Sequence, residues 1–155
     1  MKAIVYTKYG PPDVLESKEV EKPTPKEDEV LVKVHAASVN AADLHFLRGK
    51  PFFLRLMVGG LLKPKNKILG SDIAGRVEAV GRNVKQFQPG DGVFGDLFEC
   101  GRGGFAEYVC ARENALALKP ANMSFEEAAA VPMAAVTALL SLRNISWNHL
   151  YCLKI

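Results

Sequence analysis

The chain lacks the cysteine pattern of a disulfide framework. Its 155 residues include three cysteines, Cys100, Cys110 and Cys152, at wide spacing and with no C-x-x-C pair. An odd number of distant cysteines predicts free thiols in a reducing compartment. No apolar run approaches the roughly 20 residues that span a bilayer, and the N-terminus has no signal-like apolar stretch. These features together predict a cytoplasmic protein.

The chain also lacks a large excess of charge of either sign. Its net charge is only +3, which gives no reason to expect nucleic acid as a partner. With 48% hydrophobic and 24% charged residues, the composition is that of a globular protein rather than a disordered one. The length suits one ordinary domain with its own core.

Short β-type runs separated by glycine and proline make up most of the sequence. Apolar alternation and β-branched residues predict strands at residues 2–9, 29–39, 73–80, 92–95, 104–111 and 115–119. The stretch PPDVLESKEVEKPTPKEDE is interpreted as a charged, proline-broken connection. The prediction is a compact β-rich domain with a helical pair at its C-terminal edge.

Helix signals occur in two places. A short helix is predicted between Asn40 at its N-cap and Gly49 just after its end. In SFEE, Ser124 and Glu127 match a capping box. Pro132 is expected to end that helix and to begin another, through PMAAVTALLSLRN.

One glycine-rich segment matches a dinucleotide-binding pattern in letters only. GRGGFA, residues 101–106, fits the loosest G-x-G-x-x-G/A form. That motif needs a strand before it and a helix after it, so that the helix N-terminus meets the pyrophosphate. Here FAEYVCA follows, with strand-like alternation. The segment is therefore predicted to be a hairpin turn between strands.

Five further stretches follow one another in a specific order and spacing. They are PTPKEDEVLVKVHAASVNAADLHFLRG, ILGSDIAGRVEAVGRNV, QPGDGVFG, GGFAEYV and SFEEAAAVPMAAVTAL. Together they resemble the N-terminal GroES-like catalytic domain of the medium-chain dehydrogenase/reductase superfamily, over Met1 to about Leu142. The chain is most similar to the zinc-independent quinone oxidoreductase branch, which includes proteins named NAD(P)-dependent alcohol dehydrogenase. The resemblance implies a β-rich α+β fold, a partly open β-barrel with short helices.

The resemblance also implies a site without zinc. Zinc-dependent members place a cysteine ligand where this chain has Asn40, and a His-Glu pair where it has Ser71 and Asp72. They place another cysteine or acidic ligand near Met133. Asparagine, serine and methionine are poor ligands for Zn²⁺. The four-cysteine lobe that holds structural zinc in many members is absent too, and the two thiols flanking a turn do not make a tetrahedral site.

For such a site the resemblance implies NADPH-dependent (or NADH-dependent) reduction of a quinone or an α,β-unsaturated carbonyl. Conjugated acceptors spread the developing negative charge and need less Lewis-acid help. Asn40 is expected beside the nicotinamide and substrate as a polar orienter, and His45 at the cofactor ribose as a proton conduit. Thr137 is expected to contact the nicotinamide, and Asp72 to lie at the mouth of the cleft.

Each of these residues has a structural alternative. Asn40 can satisfy a backbone N–H at its helix N-cap. His45 can be an ordinary surface residue on the same helix. Thr137 can bond back to its own helix, and Asp72 can serve the fold alone.

A basic and apolar stretch follows the first predicted helix. Residues 44–71 contain no acidic side chain, and Phe52 and Phe53 lie among their lysines and arginines. One interpretation is a wall of the substrate cleft, attractive to anionic groups, and another is a loop packed on the barrel. A membrane-surface segment is disfavoured because Gly59-Gly60 and the prolines interrupt a long amphipathic helix.

The end of the sequence departs from the resemblance. In similar enzymes the VPMAAVTALL helix leads into a doubly wound nucleotide-binding domain, which supplies the glycine-rich turn. Here ISWNHLYCLKI follows Asn144. We therefore expect a GroES-like domain over 1–143 and an anomalous tail, 144–155, in place of the Rossmann domain. A piece of a longer enzyme, a truncated or frame-shifted gene product and a stand-alone module are all consistent with this.

Three functions follow as expectations. The first is the substrate-side domain of a zinc-independent NADPH-dependent oxidoreductase, inactive alone and with weak or no NADPH binding. A fragment of a zinc-type alcohol dehydrogenase and a non-catalytic GroES-like interaction module are the alternatives. Because the last helix would normally face a second domain, its apolar residues are expected to be exposed and to promote self-association into a homo-oligomer.

Overall fold

The computed structural model describes residues 1–56 and 60–144 of the chain. Its strands are β1 (Lys2–Val5), β2 (Glu16–Glu19), β3 (Glu29–Ala37), β4 (Asp72–Val80), β5 (Gly92–Asp96), β6 (Tyr108–Arg112) and β7 (Leu116–Leu118). Its helices are α1 (Ala41–Arg48), α2 (Phe125–Ala129) and α3 (Pro132–Asn144).

Five of the strands form one antiparallel sheet in the order β6-β3-β4-β5-β7. β6 and β7 lie at its two ends and do not pair with each other, so the sheet is open. β1 and β2 form a separate antiparallel pair, attached through isolated bridges from Ala3 to Ala106 and from Val5 to Ile68. This arrangement confirms the predicted β-rich α+β fold with an open sheet and short helices.

Two apolar clusters hold the sheet and α1 together. The larger one consists of inward-facing strand residues and a few loop residues: Val30, Val32, Ile73, Val77, Phe87, Val93, Leu97, Val109, Ala111 and Leu116. Burial of such side chains contributes about 1.5–3 kcal/mol each relative to exposure. The smaller cluster packs Phe46 and Leu47 of α1 against Tyr6 and Leu69. It fixes α1 beside the end of β1.

The helix predictions are confirmed. Gly49 follows α1 with a positive φ of 58°, a conformation that glycine adopts without steric cost. Ser124 and Glu127 form the predicted capping box of α2. Pro132 is the first residue of α3, as expected, and α3 is described through Asn144.

Two of the strand predictions are wrong in part, and one strand was not predicted. β1 ends at Val5, where residues 2–9 were expected, and β6 begins only at Tyr108, where residues 104–111 were expected. The charged connection contains an unpredicted strand, β2, whose side chains are all exposed. Its residues show no apolar alternation, so nothing in the local sequence indicates a strand. Backbone pairing with β1 forms it.

The glycine-rich segment GRGGFA forms a turn, as expected, and no helix follows it. Leu97 carbonyl oxygen accepts the N–H groups of Cys100 and Arg102, and Gly101, Arg102 and Gly103 all have positive φ. The expected hairpin is wrong, because β5 and β6 do not pair with each other. β6 crosses to β3 at the other end of the sheet.

None of the described helices is long and apolar enough to cross a membrane. Apart from Asn144, the predicted anomalous tail lies outside the described residues, as does Cys152.

Candidate functional site

Three elements meet at one buried carboxylate. Asp72, the first residue of β4, is fully buried. Its Oδ2 atom accepts hydrogen bonds from the Ser38 hydroxyl at 3.3 Å, from the Asn40 side-chain amide at 3.2 Å and from the Met133 backbone N–H at 3.0 Å. Asp72 therefore connects the end of β3, the start of α1 and the start of α3.

The local sequence explains how Asn40 reaches this carboxylate. Asn40 is the N-cap of α1, with extended backbone (φ −112°, ψ 158°). The Asp43 carboxylate accepts the Asn40 backbone N–H at 2.8 Å, which holds Asn40 against the first turn of α1. The Asn40 amide nitrogen is then directed to Asp72 and to the Ser38 hydroxyl, at 3.3 Å. The N-cap role and the site role are combined in one residue.

The start of α3 is held in the same way. Pro132 occupies the first helical position, where its missing N–H costs nothing. The next N–H, that of Met133, has no partner within the helix and is accepted by Asp72. A carboxylate at a helix N-terminus is also favoured by the helix dipole. Residues 134–143 of α3 are all exposed.

Burial governs the ionisation of Asp72. Desolvation raises the pKa of this carboxyl, while the hydrogen bonds from Met133, Asn40 and Ser38 oppose the rise. Its second oxygen, Oδ1, is buried without a hydrogen-bond partner among residues 1–56 and 60–144. The expected position of Asp72 at the mouth of the cleft is wrong, because the side chain is fully buried and holds other groups in place.

The other predicted site residues lie away from this network. His45 is exposed in the last turn of α1, and its Nδ1 atom lies 3.2 Å from the Lys50 carbonyl oxygen. Phe52 and Phe53 are both more than half exposed, at 59% and 55%. The Arg55 guanidinium lies 5.5 Å from the Phe52 ring. The basic and apolar stretch thus presents aromatic rings to solvent.

Thr137 lies on α3 one turn after Met133 and is exposed. It lines an open cavity of about 650 Å³ between α3 and strands β5 and β7, together with Phe94, Phe98 and Met133. The hydroxyl that bonds back along the helix is that of Ser141, which donates to the Thr137 carbonyl oxygen at 2.8 Å. This volume is in the range of small-molecule sites.

Two serines, one in the network and one next to Asp72 in sequence, were missed at the sequence level. Ser38 carried no signal, because a single serine at the end of a strand is common. Ser71 was considered only as a missing ligand, and it is fully buried with a hydroxyl that has no partner in the described part of the chain. Both positions depend on how β3 and β4 pair.

The matched family model decides the affiliation of the chain. The alcohol dehydrogenase GroES-like domain matches residues 26–121, more than half of the sequence. The chain belongs to this family. The GroES-like domain so defined contains the Asn40–Asp72 contact, and α3 follows it.

Similar proteins are oxidoreductases. The chain is 39% identical over 155 residues to 2-methylene-furan-3-one reductase of Solanum lycopersicum, covering 96% of this chain and 38% of that protein. It is 36% identical to the quinone oxidoreductase of Sus scrofa, covering 99% of this chain and 43% of that protein. The chain thus spans less than half the length of these relatives. Others are named as chloroplastic, so the cytoplasmic location stays a prediction.

Solved structures show the same fold. The quinone oxidoreductase from Coxiella burnetii aligns with a TM-score of 0.82 and 35% identity, over 92% of this chain and 44% of that chain. The Escherichia coli quinone oxidoreductase complexed with NADPH aligns with a TM-score of 0.81 and 28% identity, over 93% of this chain and 41% of that chain.

Proposed function

We propose that this GroES-like domain is the substrate-side part of a zinc-independent NADPH-dependent oxidoreductase that reduces quinones or α,β-unsaturated carbonyls. The observation that carries the proposal is the contact among positions 40, 72 and 133. The resemblance assigns these positions to metal ligands in zinc enzymes, and here they are joined by hydrogen bonds. The similarity to quinone and enone reductases supports the substrate class.

The donor set at these positions does not fit zinc. Asn40 directs a nitrogen that donates hydrogen bonds, and Met133 contributes a backbone N–H. Asp72 is the one anionic group of the three, and Zn²⁺ is held by combinations of thiolate, imidazole and carboxylate. Among the described residues no group of three or more His, Cys, Asp or Glu side chains is placed to hold a metal.

Asn40 is proposed to orient the substrate and the nicotinamide. Its amide nitrogen is held by Asp72 and Ser38, which fixes the plane of the amide and the direction of its carbonyl oxygen. A positioned dipole of this kind costs little reorganisation during the reaction. NADPH, bound mainly by residues outside the described chain, would supply the hydride.

His45 is proposed to pass a proton between solvent and the site. A carbonyl oxygen can only accept a hydrogen bond, so the contact with Lys50 requires the hydrogen on Nδ1. Nε2 is then available for proton exchange. Thr137 is proposed to contact the nicotinamide, and Phe52 and Phe53 to form part of the substrate wall.

Metal analysis and turnover test this proposal. The chain purified without chelator is expected to contain far less than one zinc per molecule, and stoichiometric zinc would overturn the zinc-free site. When the chain is joined to a nucleotide-binding domain, Asn40→Ala and His45→Phe are expected to slow quinone-dependent NADPH oxidation. Asn83→Ala, an exposed asparagine bonded to Glu27, is the matched control. Unchanged turnover in both site variants would remove them from the mechanism.

By itself the chain is proposed to bind NADPH very weakly. The resemblance assigns the pyrophosphate contacts to a glycine-rich turn before a helix. The two segments that fit that pattern in letters, GRGGFA and GDGVFG, both lead into strands. Fluorescence titration with NADPH measures this directly. Micromolar affinity would refute it.

Self-association through α3 is a further part of the proposal. Val136, Leu139 and Leu142 are exposed by 53%, 57% and 56%, and such apolar surface favours association. Light scattering is expected to show a dimer or larger species, which Leu139→Lys should dissociate. Leu118→Lys, at a leucine of similar exposure on β7, is the control. A monomer at high concentration would contradict the proposal.

A further inference from the structure

A second buried charge lies apart from the Asp72 network. Arg102 is only 6% exposed, and its guanidinium carbon lies 3.9 Å from the centre of the Phe46 ring. Its Nε atom is buried and has no hydrogen-bond partner in the described part of the chain. Buried cations are ordinarily paired with an anion or fully hydrogen-bonded. The contact with an aromatic face supplies only part of what water would supply.

A second guanidinium shares the surroundings of Arg102. Arg55 lies 4.5 Å from the Tyr9 ring, and its Nε donates to the Gly49 carbonyl oxygen at 2.9 Å. Arg55 and Arg102 line the same void of about 10 Å³, together with Tyr6, Tyr9 and Phe46. A void of this size has room for about one water-sized occupant.

The buried guanidinium has no contacting anion. No carboxylate in residues 1–56 and 60–144 lies within 4.0 Å of either guanidinium. Asp43 is the nearby buried acid, but its two oxygens accept the backbone N–H groups of Asn40 and Gly70. Asp43 therefore acts on Arg102 only at longer range. Arg102 is therefore a buried cation with no anion in contact with it in the described part of the chain.

The backbone of Arg102 has a conformation that is unusual for an arginine. Its φ is +65°, in the left-handed region, between Gly101 and Gly103 at +95° and +117°. Glycine would adopt this conformation without strain, whereas an arginine does so only when its surroundings hold it there. Strained residues of this kind are concentrated at binding and active sites.

We propose that a monatomic monovalent anion, chloride in ordinary solution, occupies the void between Arg55 and Arg102. One such ion supplies a contacting negative charge and accepts hydrogen bonds from guanidinium groups. Phosphate and sulfate are too large for a void that holds one water-sized occupant. The site does not depend on NADPH, on substrate or on the proposed reaction.

Thermal unfolding of the full chain at constant ionic strength tests the site, with chloride replacing gluconate. The midpoint is expected to rise and then to saturate, because an ion that binds only the folded state stabilises it by mass action. Sulfate should give no saturable rise. Crystals grown in bromide should show an anomalous peak in the void, and a water there without such a peak would overturn the proposal.

Variants separate a specific site from general screening by salt. Arg102→Met keeps the apolar stem and is expected to weaken halide binding by at least about tenfold through loss of a charge-assisted contact. The same weakening of halide binding is expected for Arg55→Gln, which serves as the test if Arg102→Met does not fold. Arg48→Gln removes an equal charge from an exposed neighbour that does not line the void, and should respond like the wild type. An equal halide response in all four proteins would refute the site.

Discussion

Replacing Asp72 by alanine should loosen the junction of β3, α1 and α3. The substitution removes the acceptor of three hydrogen bonds, from Ser38, Asn40 and Met133. The Ser38 hydroxyl keeps a contact with the Asn40 amide, at 3.3 Å, and loses least. The Met133 backbone N–H loses its hydrogen-bond acceptor, and the Asn40 side-chain amide loses its anionic acceptor.

The cost follows from how buried these donors are. A buried donor left unsatisfied costs about 1–3 kcal/mol. Asn40 and Met133 are half-buried, so the lower half of that range applies to each. Relief of the buried carboxylate offsets part of the loss, while the space left by the side chain adds to it. We expect the free energy of unfolding to fall by about 2–3 kcal/mol.

Urea unfolding followed by circular dichroism at pH 7 measures this change. Asp28→Ala, which removes an exposed acid, is the control for the loss of one negative charge. Amide hydrogen exchange gives a local test, because Met133 and the first turn of α3 should lose protection before the sheet does. If Asp72→Ala were as stable as Asp28→Ala, Asp72 would not be the connection that the geometry describes.

The other predictions concern ionisation and packing. Asp72→Asn should be most destabilising relative to wild type at acid pH, because burial raises the pKa of the Asp72 carboxyl. Wild-type stability then falls as pH rises from the ordinary aspartate pKa through the raised one. A difference in unfolding free energy between wild type and Asp72→Asn that widens as pH rises would contradict this. Gly95→Ala should cost about 1–3 kcal/mol, since its new Cβ would overlap the Ala115 carbonyl oxygen. Gly92→Ala, whose Cβ meets nothing closer than 3.5 Å, is the control, and equal unfolding free energies would refute the argument. Burial raises the pKa of Cys110 to about 11, so its alkylation at pH 8 should be about a hundredfold slower in the folded chain than in urea; equal rates would contradict this.

The helices were predictable because their signals are local. The residues that begin and end α1 and α2 satisfy backbone groups within a few positions of themselves, as Asn40, Gly49 and Ser124 show. The apolar strands β3 and β4 were predictable for a similar reason, since alternation records which face is buried. β2 was not, because its residues are all exposed and its partner is distant in sequence.

The candidate site was predictable only in its membership. The resemblance to zinc enzymes pointed to Asn40, Asp72 and Met133 as one set, but it did not predict how they interact. Asp72 was expected at a cleft mouth, and it is buried beneath Asn40 and the start of α3. The roles of His45 and Thr137 stay predictions.

The sequence by itself determined the fold class, the helix ends and the family, because caps, alternation and ordered motifs are properties of neighbouring residues. Tertiary structure alone decided what the carboxylate of Asp72 holds, since its donors lie 34, 32 and 61 residues away along the chain. It also decided that Arg55 and Arg102 share one void. Contacts across such separations depend on strand pairing and helix docking, which no local pattern records.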